Sequence, residues 1–338
     1  MSAQPPFLVT GATGFLGRHV IEAIRAGDPG ARIVALVRDP GADSLRRLSY
    51  LEGVELVPGS PMNLGKWSSD PRVSQLAGIY HLAAEVTHSR RGTEEMTRFN
   101  VDGAAEMVRV AASRSARIVF VSTSGTVGCS KDADYSPDET APFCEKVVAR
   151  WPYYVSKIRA EKKSRAIADE SGGDLVIMRP PVLLGPGDHR FRSTGNVIRV
   201  LRGRLPFLVN GGINFADIRD AAAAMVRAMG HPSPQPVYNL PGTVSSLDAF
   251  FHRVARIAGI DPEWRMLPSK IVWALARANE VAGRPLHVLP DPVVIEMAGH
   301  NWGISSRHAG RDLLYSTRNP DATITDTVEW IRGAESRM

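Results

Sequence analysis

Residues 153–157 carry two side chains that together could move a proton. Tyr153 and Lys157 stand four residues apart in the segment Tyr153-Tyr-Val-Ser-Lys157, where the apolar spacing predicts a helix over residues 152–170. Side chains four apart project from one face of a helix, and an ammonium beside a phenol lowers the phenol pKa from about 10. The pair could therefore protonate a carbonyl oxygen as hydride reaches the carbon, or run that step in reverse.

Two other interpretations of this segment stay open. Tyr154 stands three residues before Lys157, so it competes with Tyr153 for the same role or is simply a packed aromatic side chain. Lys157 could also lie along an amphipathic helix with only its ammonium group in water. The choice depends on what neighbouring segments bring to the same place.

A run of hydroxyl side chains follows the predicted fifth strand. The strand Arg117-Ile-Val-Phe-Val121 leads directly into Ser122-Thr123-Ser124-Gly125. Ligands of open α/β sheets bind at the carboxyl ends of the strands, so these hydroxyl groups could bond a substrate carbonyl and the tyrosine hydroxyl. The competing interpretation is that Ser and Thr only cap a loop here.

A glycine-rich turn near the N-terminus predicts a nicotinamide dinucleotide site. Three glycines, at every third residue, follow a short strand and open a helix, where backbone can approach a pyrophosphate at the helix N-terminus. The alternative is an ordinary strand-to-helix turn. The residues assigned to the cofactor in this turn are Gly11, Thr13, Gly14, Phe15, Leu16 and Gly17.

Arg38 ends the second predicted strand and favours NADP(H) over NAD(H). Dinucleotide sites for NAD usually carry an acid at this point, which bonds the ribose 2′-hydroxyl. A guanidinium would instead bond the 2′-phosphate of NADP. Arg18, Arg46 and Arg47 could assist, and NAD(H) stays the alternative because Arg38 could be a solvated loop residue followed by Asp39.

The elements that must position these residues alternate between short apolar runs and longer amphipathic segments. This rhythm predicts an α/β protein with a doubly wound parallel sheet covered on both faces. Helices are predicted over residues 93–113 and 152–170. The predicted strands are residues 7–10, 32–37, 54–57, 78–83, 116–122, 174–179 and 237–240.

The rhythm breaks after residue 180, which predicts a smaller, mostly helical C-terminal lobe that binds the substrate. We assign residues 1–180 to the dinucleotide-binding domain, which also receives about 214–242. Residues 181–213 and 243–338 form a discontinuous substrate-binding lobe. With 338 residues the chain is long enough for two such units.

Composition and charge exclude several classes of protein. The formal charge of +6 is scattered among acids without a nucleic-acid motif, so no nucleic-acid partner is expected. The sequence has no run of about 18 apolar residues, so no membrane span is expected, and no targeting signal is predicted before the first strand. Cys129 and Cys144 are the only cysteines and favour a cytoplasmic protein with reduced thiols. No His, Cys, Asp and Glu cluster has metal-ligand spacing, so no metal is predicted.

These motifs together resemble the extended short-chain dehydrogenase/reductase family over nearly the whole chain. The resemblance implies a Rossmann-type fold and, for the chain, a homodimer built from the helices at residues 93–113 and 152–170. Its motifs, in the family's order, are the glycine turn, His81-Leu-Ala-Ala84, Asn100-Val-x-Gly103, the hydroxyl cluster, Tyr153-x-x-x-Lys157 and Arg179-Pro-x-x-x-x-Gly185-Pro186.

The resemblance also implies a role for each site residue. Tyr153 would be the catalytic acid/base, and Lys157 would hold the nicotinamide ribose and tune Tyr153. The hydroxyl residue would be Thr123, with Ser124 as the alternative because the local alignment can slip by one. Further cofactor contacts fall on Leu82, Ala83, Ala84, Ser122, Pro180, Val182 and Leu183, and substrate contacts on Glu85, Ser124 and Gly125.

Within the family the chain is most similar to the dihydroflavonol 4-reductase-like group, whose members mostly reduce ketones with NADPH. The phrases that carry this likeness are Val37-Arg-Asp-Pro40, Ser124-Gly-Thr-Val127 and Asp326-Thr-Val-Glu-Trp330. We therefore expect an enzyme that reduces a ketone or aldehyde of a small to medium, largely apolar substrate. The alternatives are a sugar-nucleotide epimerase or dehydratase with tightly bound NAD, a hydroxysteroid-type dehydrogenase, and a non-catalytic dinucleotide sensor.

Overall fold

A computed structural model describes residues 4–42, 45, 49–90, 92–283 and 291–336 of the chain. Within these residues it contains twelve strands. They are β1 (Phe7–Thr10), β2 (Ile33–Val37), β3 (Glu55–Pro58), β4 (Gly78–His81), β5 (Ile118–Val121), β6 (Leu175–Arg179), β7 (Val182–Leu184), β8 (Phe207–Leu208), β9 (Gly212–Asp217), β10 (Val237–Asn239), β11 (Thr243–Ser246) and β12 (Arg265–Met266).

The α-helices of the same residues number eleven. They are α1 (Phe15–Gly27), α2 (Glu94–Ser113), α3 (Glu145–Val148), α4 (Pro152–Ser171), α5 (Gly195–Leu201), α6 (Ile218–Gly230), α7 (Leu247–Ala258), α8 (Ser269–Val281), α9 (Pro292–Ala298), α10 (Ala309–Leu313) and α11 (Pro320–Glu335).

Seven strands form one parallel sheet in the order β10-β6-β5-β4-β1-β2-β3. Neighbouring residues of β1 show how both faces are covered: Leu8 packs into the apolar cluster that includes Met107 of α2, and Val9 into the cluster that includes Val20 of α1. Helices α1 and α6 pack together on one face, and α2 and α4 on the other. This is a Rossmann-type fold, as the sequence predicts.

The parallel arrangement places the segments that matter for function at one edge of the sheet. The carboxyl ends of β1, β4, β5 and β6 lead into residues 11–17, 82–86, 122–125 and 180–183. The strand order changes direction between β1 and β4, the position at which open α/β sheets bind their ligands.

A second apolar cluster lies in the C-terminal part of the chain. It joins α5, α7, α8 and α11 to the three-stranded sheet β11-β9-β7, with Phe215 and Phe250 in ring contact at 5.2 Å. The pair β8 and β12 forms a further small sheet. The sequence predicts the mostly helical character of this region but not its two small sheets. None of the helices seen in the described ranges is long and apolar enough to cross a membrane.

Candidate active site

The glycine turn is built so that only glycine fits at its close approaches. Gly11 has a φ of +73°, and a Cβ there would lie 2.8 Å from the Ala83 backbone nitrogen. A Cβ on Gly17 would lie 2.2 Å from the Gly11 carbonyl oxygen. These close contacts place the first turn of α1 directly against the residues that follow β1. The backbone of the glycine turn therefore lies at the edge of the sheet.

The N-terminus of α1 presents its amides without a side-chain cap. Gly14 is the N-cap residue and has no side chain to accept from them, and the first turn contains no acid. Helix N-termini with open amides favour anionic groups through hydrogen bonds and the helix dipole. The turn therefore fits the pyrophosphate of a dinucleotide.

Lys157 is fully buried beneath the end of β5. Only 2% of the residue is exposed, its Nζ donates to the Val121 carbonyl oxygen at 2.7 Å, and it lies 4.6 Å from the centre of the Phe120 ring. Burial lowers the pKa of Lys157 to about 8, although the nearby Glu161 carboxylate opposes this shift. The ammonium form therefore predominates at neutral pH but is lost at mildly alkaline pH.

Tyr153 lies one helical turn before Lys157 and borders the same cavity. Burial raises the pKa of Tyr153 to about 12. This direction is opposite to the lowering that the Tyr–Lys spacing predicts, because desolvation of the phenolate dominates. Its ring meets the edge of the His88 ring at 6.1 Å. The phenol is thus held in its protonated form at neutral pH.

Tyr154 belongs to an aromatic cluster. Its ring stacks on Trp302 at 5.1 Å and meets Trp151 edge-on at 6.1 Å. It also covers Gly125 so closely that a Cβ there would lie 2.1 Å from Tyr154 Cε1. Tyr154 therefore packs between the hydroxyl segment and the C-terminal part of the chain, the second role that its sequence position allows.

The hydroxyl segment after β5 bends into a short 3₁₀ turn, Ser124–Thr126. Thr123 is the N-cap of that turn, and its Oγ1 accepts from the Gly125 amide at 3.3 Å. Both Thr123 and Ser124 border the cavity, but Thr123 is the more exposed, since Ser124 is 4% exposed. Thr123 is therefore the better placed hydroxyl for a ligand.

Ser122 is engaged beneath the cavity in a network that the sequence reasoning missed. Its Oγ donates to Glu161 Oε1 at 2.5 Å. The Thr126 hydroxyl proton is shared between the same oxygen, at 3.1 Å, and the Thr123 carbonyl oxygen, at 2.9 Å. Arg179 donates to both Glu161 oxygens, at 2.6 to 3.1 Å. Glu161 lies four residues after Lys157, and a carboxylate on this buried helix face was the available signal.

Arg38 follows β2 at the cavity-bearing edge of the sheet, but its side chain is exposed and does not line the cavity. It makes no ion pair with any acid among the described residues. Asp39 beside it accepts from the Gly41 amide at 3.0 Å, so its carboxylate is used within the loop. Arg46 and Arg47 lie outside the described residues.

One cavity of about 2030 Å³ runs from the glycine turn to the C-terminal part of the chain. This is larger than the roughly 300–1000 Å³ of a typical small-molecule pocket, so it can hold a dinucleotide and a second ligand together. The predicted residues that line it are Thr13, Gly14, Phe15, Leu16, Leu82, Ala84, Ser122, Thr123, Ser124, Gly125, Tyr153, Lys157, Pro180, Val182 and Leu183. Gly11, Gly17, Arg38, Ala83 and Glu85 do not line it.

Two of the predicted residues that do not line the cavity, Ala83 and Glu85, contribute backbone beside it. Ala83 supplies the backbone on which Gly11 rests. Glu85 is held by Asn100, whose amide group accepts from the Glu85 nitrogen and donates to its carbonyl oxygen, both at 2.9 Å. These bonds fix the backbone of Glu85, and the substrate contact expected of its side chain stays a prediction.

The part of the cavity lining contributed by residues 188–204 is rich in arginine, of which the sequence predicts only Arg190 and Arg192 as possible contacts of an acidic group. Within the described ranges, Asp188 is the only acid that lines the cavity, and it is 2% exposed because Ser193 and Thr194 donate to its carboxylate. The cations of this arginine wall are Arg190, Arg192, Arg199, Arg202 and Arg204. Of these, Arg202 pairs with Glu335 at 2.7 Å.

No three metal-binding side chains converge anywhere in the part of the chain that the structure describes.

A family model described as "NAD dependent epimerase/dehydratase family" matches residues 7–240. The match includes β1 to β10, and hence the glycine turn, the hydroxyl segment and the Tyr153–Lys157 pair. The chain belongs to this family. As an extended short-chain dehydrogenase/reductase it is an enzyme of a family that uses nicotinamide dinucleotides, and the glycine turn supplies a fitting cradle.

Curated relatives of this family member carry reductase names. A protein from Synechocystis sp. (strain ATCC 27184 / PCC 6803 / Kazusa), provisionally assigned as a dihydroflavonol 4-reductase, is 26% identical over 339 residues, 96% of this chain and 94% of that protein. The dihydroflavonol 4-reductase of Hordeum vulgare is 26% identical over 275 residues, 75% of this chain and 73% of that enzyme. The solved structure of gox2253 has a TM-score of 0.81 at 25% identity and covers 98% of this chain and 99% of its own.

Proposed function

We propose that this family member is an NADP(H)-dependent reductase that converts a ketone or aldehyde to an alcohol. One observation carries the proposal: Tyr153, Lys157 and Thr123 border the same cavity as the glycine turn. The reductase names of the relatives agree with this direction of reaction.

Tyr153 acts as the general acid. When bound, the reduced nicotinamide supplies the hydride that adds to the carbonyl carbon. The carbonyl oxygen gains the electron pair of the broken π bond and takes the proton of the Tyr153 hydroxyl, which solvent then restores. A phenol with a pKa raised to about 12 stays protonated at neutral pH, so the donor is present before each reduction.

Lys157 and Thr123 prepare this proton transfer. The buried Lys157 ammonium stabilises the phenolate that forms when Tyr153 gives up its proton, which offsets the cost of desolvating it. The Thr123 hydroxyl donates to the carbonyl oxygen and holds it against Tyr153. Leu82, Ala84, Pro180, Val182 and Leu183 supply an apolar lining on the dinucleotide side of the cavity.

Arg38 carries the preference for NADP(H). Its guanidinium has no acidic partner within the described ranges, and it directly follows β2, the strand after which dinucleotide sites of this fold bind the adenosine ribose. Asp39, the adjacent acid, accepts from the Gly41 amide through one carboxylate oxygen.

A panel of ketones and aldehydes, with NADPH and NADH in parallel, tests the proposal by the loss of absorbance of the reduced cofactor. We expect stoichiometric consumption of NADPH with alcohol formed. The family also contains epimerases and dehydratases, so sugar nucleotides belong in the panel. Their turnover without net consumption of cofactor would overturn the reductase proposal.

Two features of organisation are proposed with the function. The dinucleotide-binding domain comprises residues 1–180 and the returning segment that contains α6 and β10, and the rest forms the substrate lobe. Strand β9 pairs with β7, so we place the return at residue 218 instead of 214. The homodimer would form through the outer faces of α2 and α4. Light scattering coupled to gel filtration tests it, and a monomeric mass would contradict it.

A further inference from the structure

We infer that Glu161 is the positioning residue of the active site: a single buried carboxylate fixes three segments that each carry site residues. The inference rests on the proposed use of Tyr153 and Lys157. It concerns a residue that does not line the cavity.

Glu161 accepts hydrogen bonds from two other segments of the chain, the turn after β5 and the end of β6. The residue has no exposed surface and lies on α4, four residues after Lys157 and eight after Tyr153. Its Oε1 accepts from Ser122 Oγ and Thr126 Oγ1, and both of its oxygens accept from the Arg179 guanidinium.

Each partner belongs to a segment that lines the cavity. Ser122 and Thr126 flank Thr123, so their two bonds fix where the proposed carbonyl-binding hydroxyl stands relative to α4. Arg179 ends β6 and immediately precedes Pro180, on the dinucleotide side of the cavity. A misplacement of reacting groups by about 1 Å can cost about 100-fold in rate, so this shared anchor matters for catalysis.

Glu161 also balances the charge of Lys157. Burial favours the neutral amine of Lys157, and the Glu161 carboxylate is the charge that acts against this. The other ionisable groups near these two are Arg179 on β6, Arg165 one turn further along α4 at 3.9 Å from Glu161, and His81 on β4. Cys144, before α3, interacts electrostatically with Arg179.

None of these neighbours replaces the missing negative charge when Glu161 is neutralised. Arg165 and Arg179 are cations, and burial lowers the pKa of His81 to about 3, which keeps it neutral. Burial raises the pKa of the Cys144 thiol, which keeps it uncharged near neutral pH. Loss of the carboxylate therefore lowers the pKa of Lys157 further.

Glu161→Gln tests the inference, because it keeps the size of the side chain and removes its charge. We expect kcat to fall about 10- to 100-fold while the Kd of NADPH stays within about threefold. The alkaline limb of the kcat profile should move to lower pH. Glu161→Asp, which restores the charge on a shorter side chain, should recover the position of that limb and part of the rate.

Asp217→Asn is the matched control. Asp217 is likewise fully buried and pairs with an arginine, Arg219, but it lies at the junction of β9 and α6 and does not line the cavity. We expect this variant to lower thermal stability without moving the alkaline limb. A shift of that limb equal to the one in Glu161→Gln would mean that any buried ion pair has this effect, and would overturn the inference.

Thr126→Val keeps the test usable if Glu161→Gln does not fold. This variant removes the Thr126 hydroxyl, which bonds both Glu161 Oε1 and the Thr123 carbonyl oxygen, at a residue outside the cavity wall. We expect a fall in kcat of roughly threefold to tenfold at unchanged Kd of NADPH. An unchanged kcat in folded Thr126→Val or Glu161→Gln would overturn the inference.

Tyr153→Phe, assayed in parallel, separates this inference from the proposed function. If Tyr153→Phe keeps full activity, the proposed mechanism is wrong and Glu161 has no reaction to position. If Tyr153→Phe is inactive while Glu161→Gln is unchanged, only the inference about Glu161 is wrong.

Discussion

The two sides of the cavity treat their charges in opposite ways. The buried floor, a network beneath the cavity formed by Ser122, Thr126, Lys157, Glu161 and Arg179, holds its charged groups in direct contact with partners. The arginine wall, defined above, leaves most of its guanidinium groups in water without an acidic partner among the described residues.

This difference in burial indicates which substitutions should change catalysis most. A buried charge that loses its partner is strongly unfavourable, whereas exposed ion pairs contribute little and are screened by salt. We therefore expect single substitutions in the floor to change catalysis by large factors. Substitutions in the wall should have small, salt-dependent effects.

Removal of the Thr123 hydroxyl should give the largest effect among the changes that keep Tyr153. Thr123→Val keeps the shape of the side chain but removes the donor to the carbonyl oxygen, so kcat should fall by about 100-fold. Thr123→Ser, which keeps the hydroxyl, is the control and should stay within about threefold. Equal activity in Val and Ser variants would assign the hydroxyl role to Ser124.

Substitution of Gly17 should weaken dinucleotide binding at the glycine turn. A Cβ would lie 2.2 Å from the Gly11 carbonyl oxygen, so Gly17→Ala forces the turn to shift. We expect the Kd of NADPH, measured by its fluorescence, to rise at least about tenfold. Gly27→Ala is the matched control on the same helix, because a Cβ there meets nothing within 4 Å. An effect of the same size at Gly27 would refute the close-approach argument.

Arg38 is exposed, as the arginine wall is, but it has a specific proposed partner, the 2′-phosphate of NADP. Arg38→Gln should raise the Kd of NADPH roughly tenfold, since a charge-assisted hydrogen bond is lost from an exposed site. The Kd of NADH should not change. A parallel loss for both cofactors would show that Arg38 does not recognise the 2′-phosphate.

The pH dependence of the reduction should report the buried Lys157. Its pKa is lowered to about 8, so the ammonium is present below that pH and is lost as the pH rises through it. The value of kcat should therefore fall above about pH 8, by up to tenfold per pH unit. A flat profile to pH 10 would contradict this assignment, since Tyr153 itself stays protonated over that range.

The smallest effects are expected in the arginine wall. Arg192→Gln should change kcat by less than about twofold, because its guanidinium is exposed. The association of NADPH, an anion, with the wild type should slow as salt rises from 50 to about 500 mM, since screening weakens attraction to the cation-lined cavity. A salt-independent association rate would show that the wall does not act on the ligand.

Much of the fold could be predicted from the sequence because its strands are strongly apolar and regularly spaced. Strand β2 is buried at all five positions, and its pattern needs no knowledge of distant contacts. The small sheets β11-β9-β7 and β8-β12 were not predicted. They join short segments far apart in the chain, and such pairings leave no local pattern.

The candidate site, like the fold, could be predicted from the sequence only in part. The residues at strand ends could be placed from the topology, since parallel strands deliver their carboxyl ends to one edge. The Glu161 network could not, because its bonds join residues 18 to 39 positions apart. The direction of the Tyr153 pKa shift also needed the structure, since it depends on burial as well as on the spacing to Lys157.

In the proposed reaction, Tyr153 donates the proton during NADPH-dependent reduction. Tyr153→Phe keeps the ring and its contact with His88 while removing the proton, so the most direct measurement is kcat of this variant on a ketone that the wild type reduces. We expect the kcat of this variant to be about 100- to 10000-fold lower than that of the wild type, with the Kd of NADPH unchanged. A Tyr153→Phe enzyme that reduces the same ketone at the wild-type rate would contradict it.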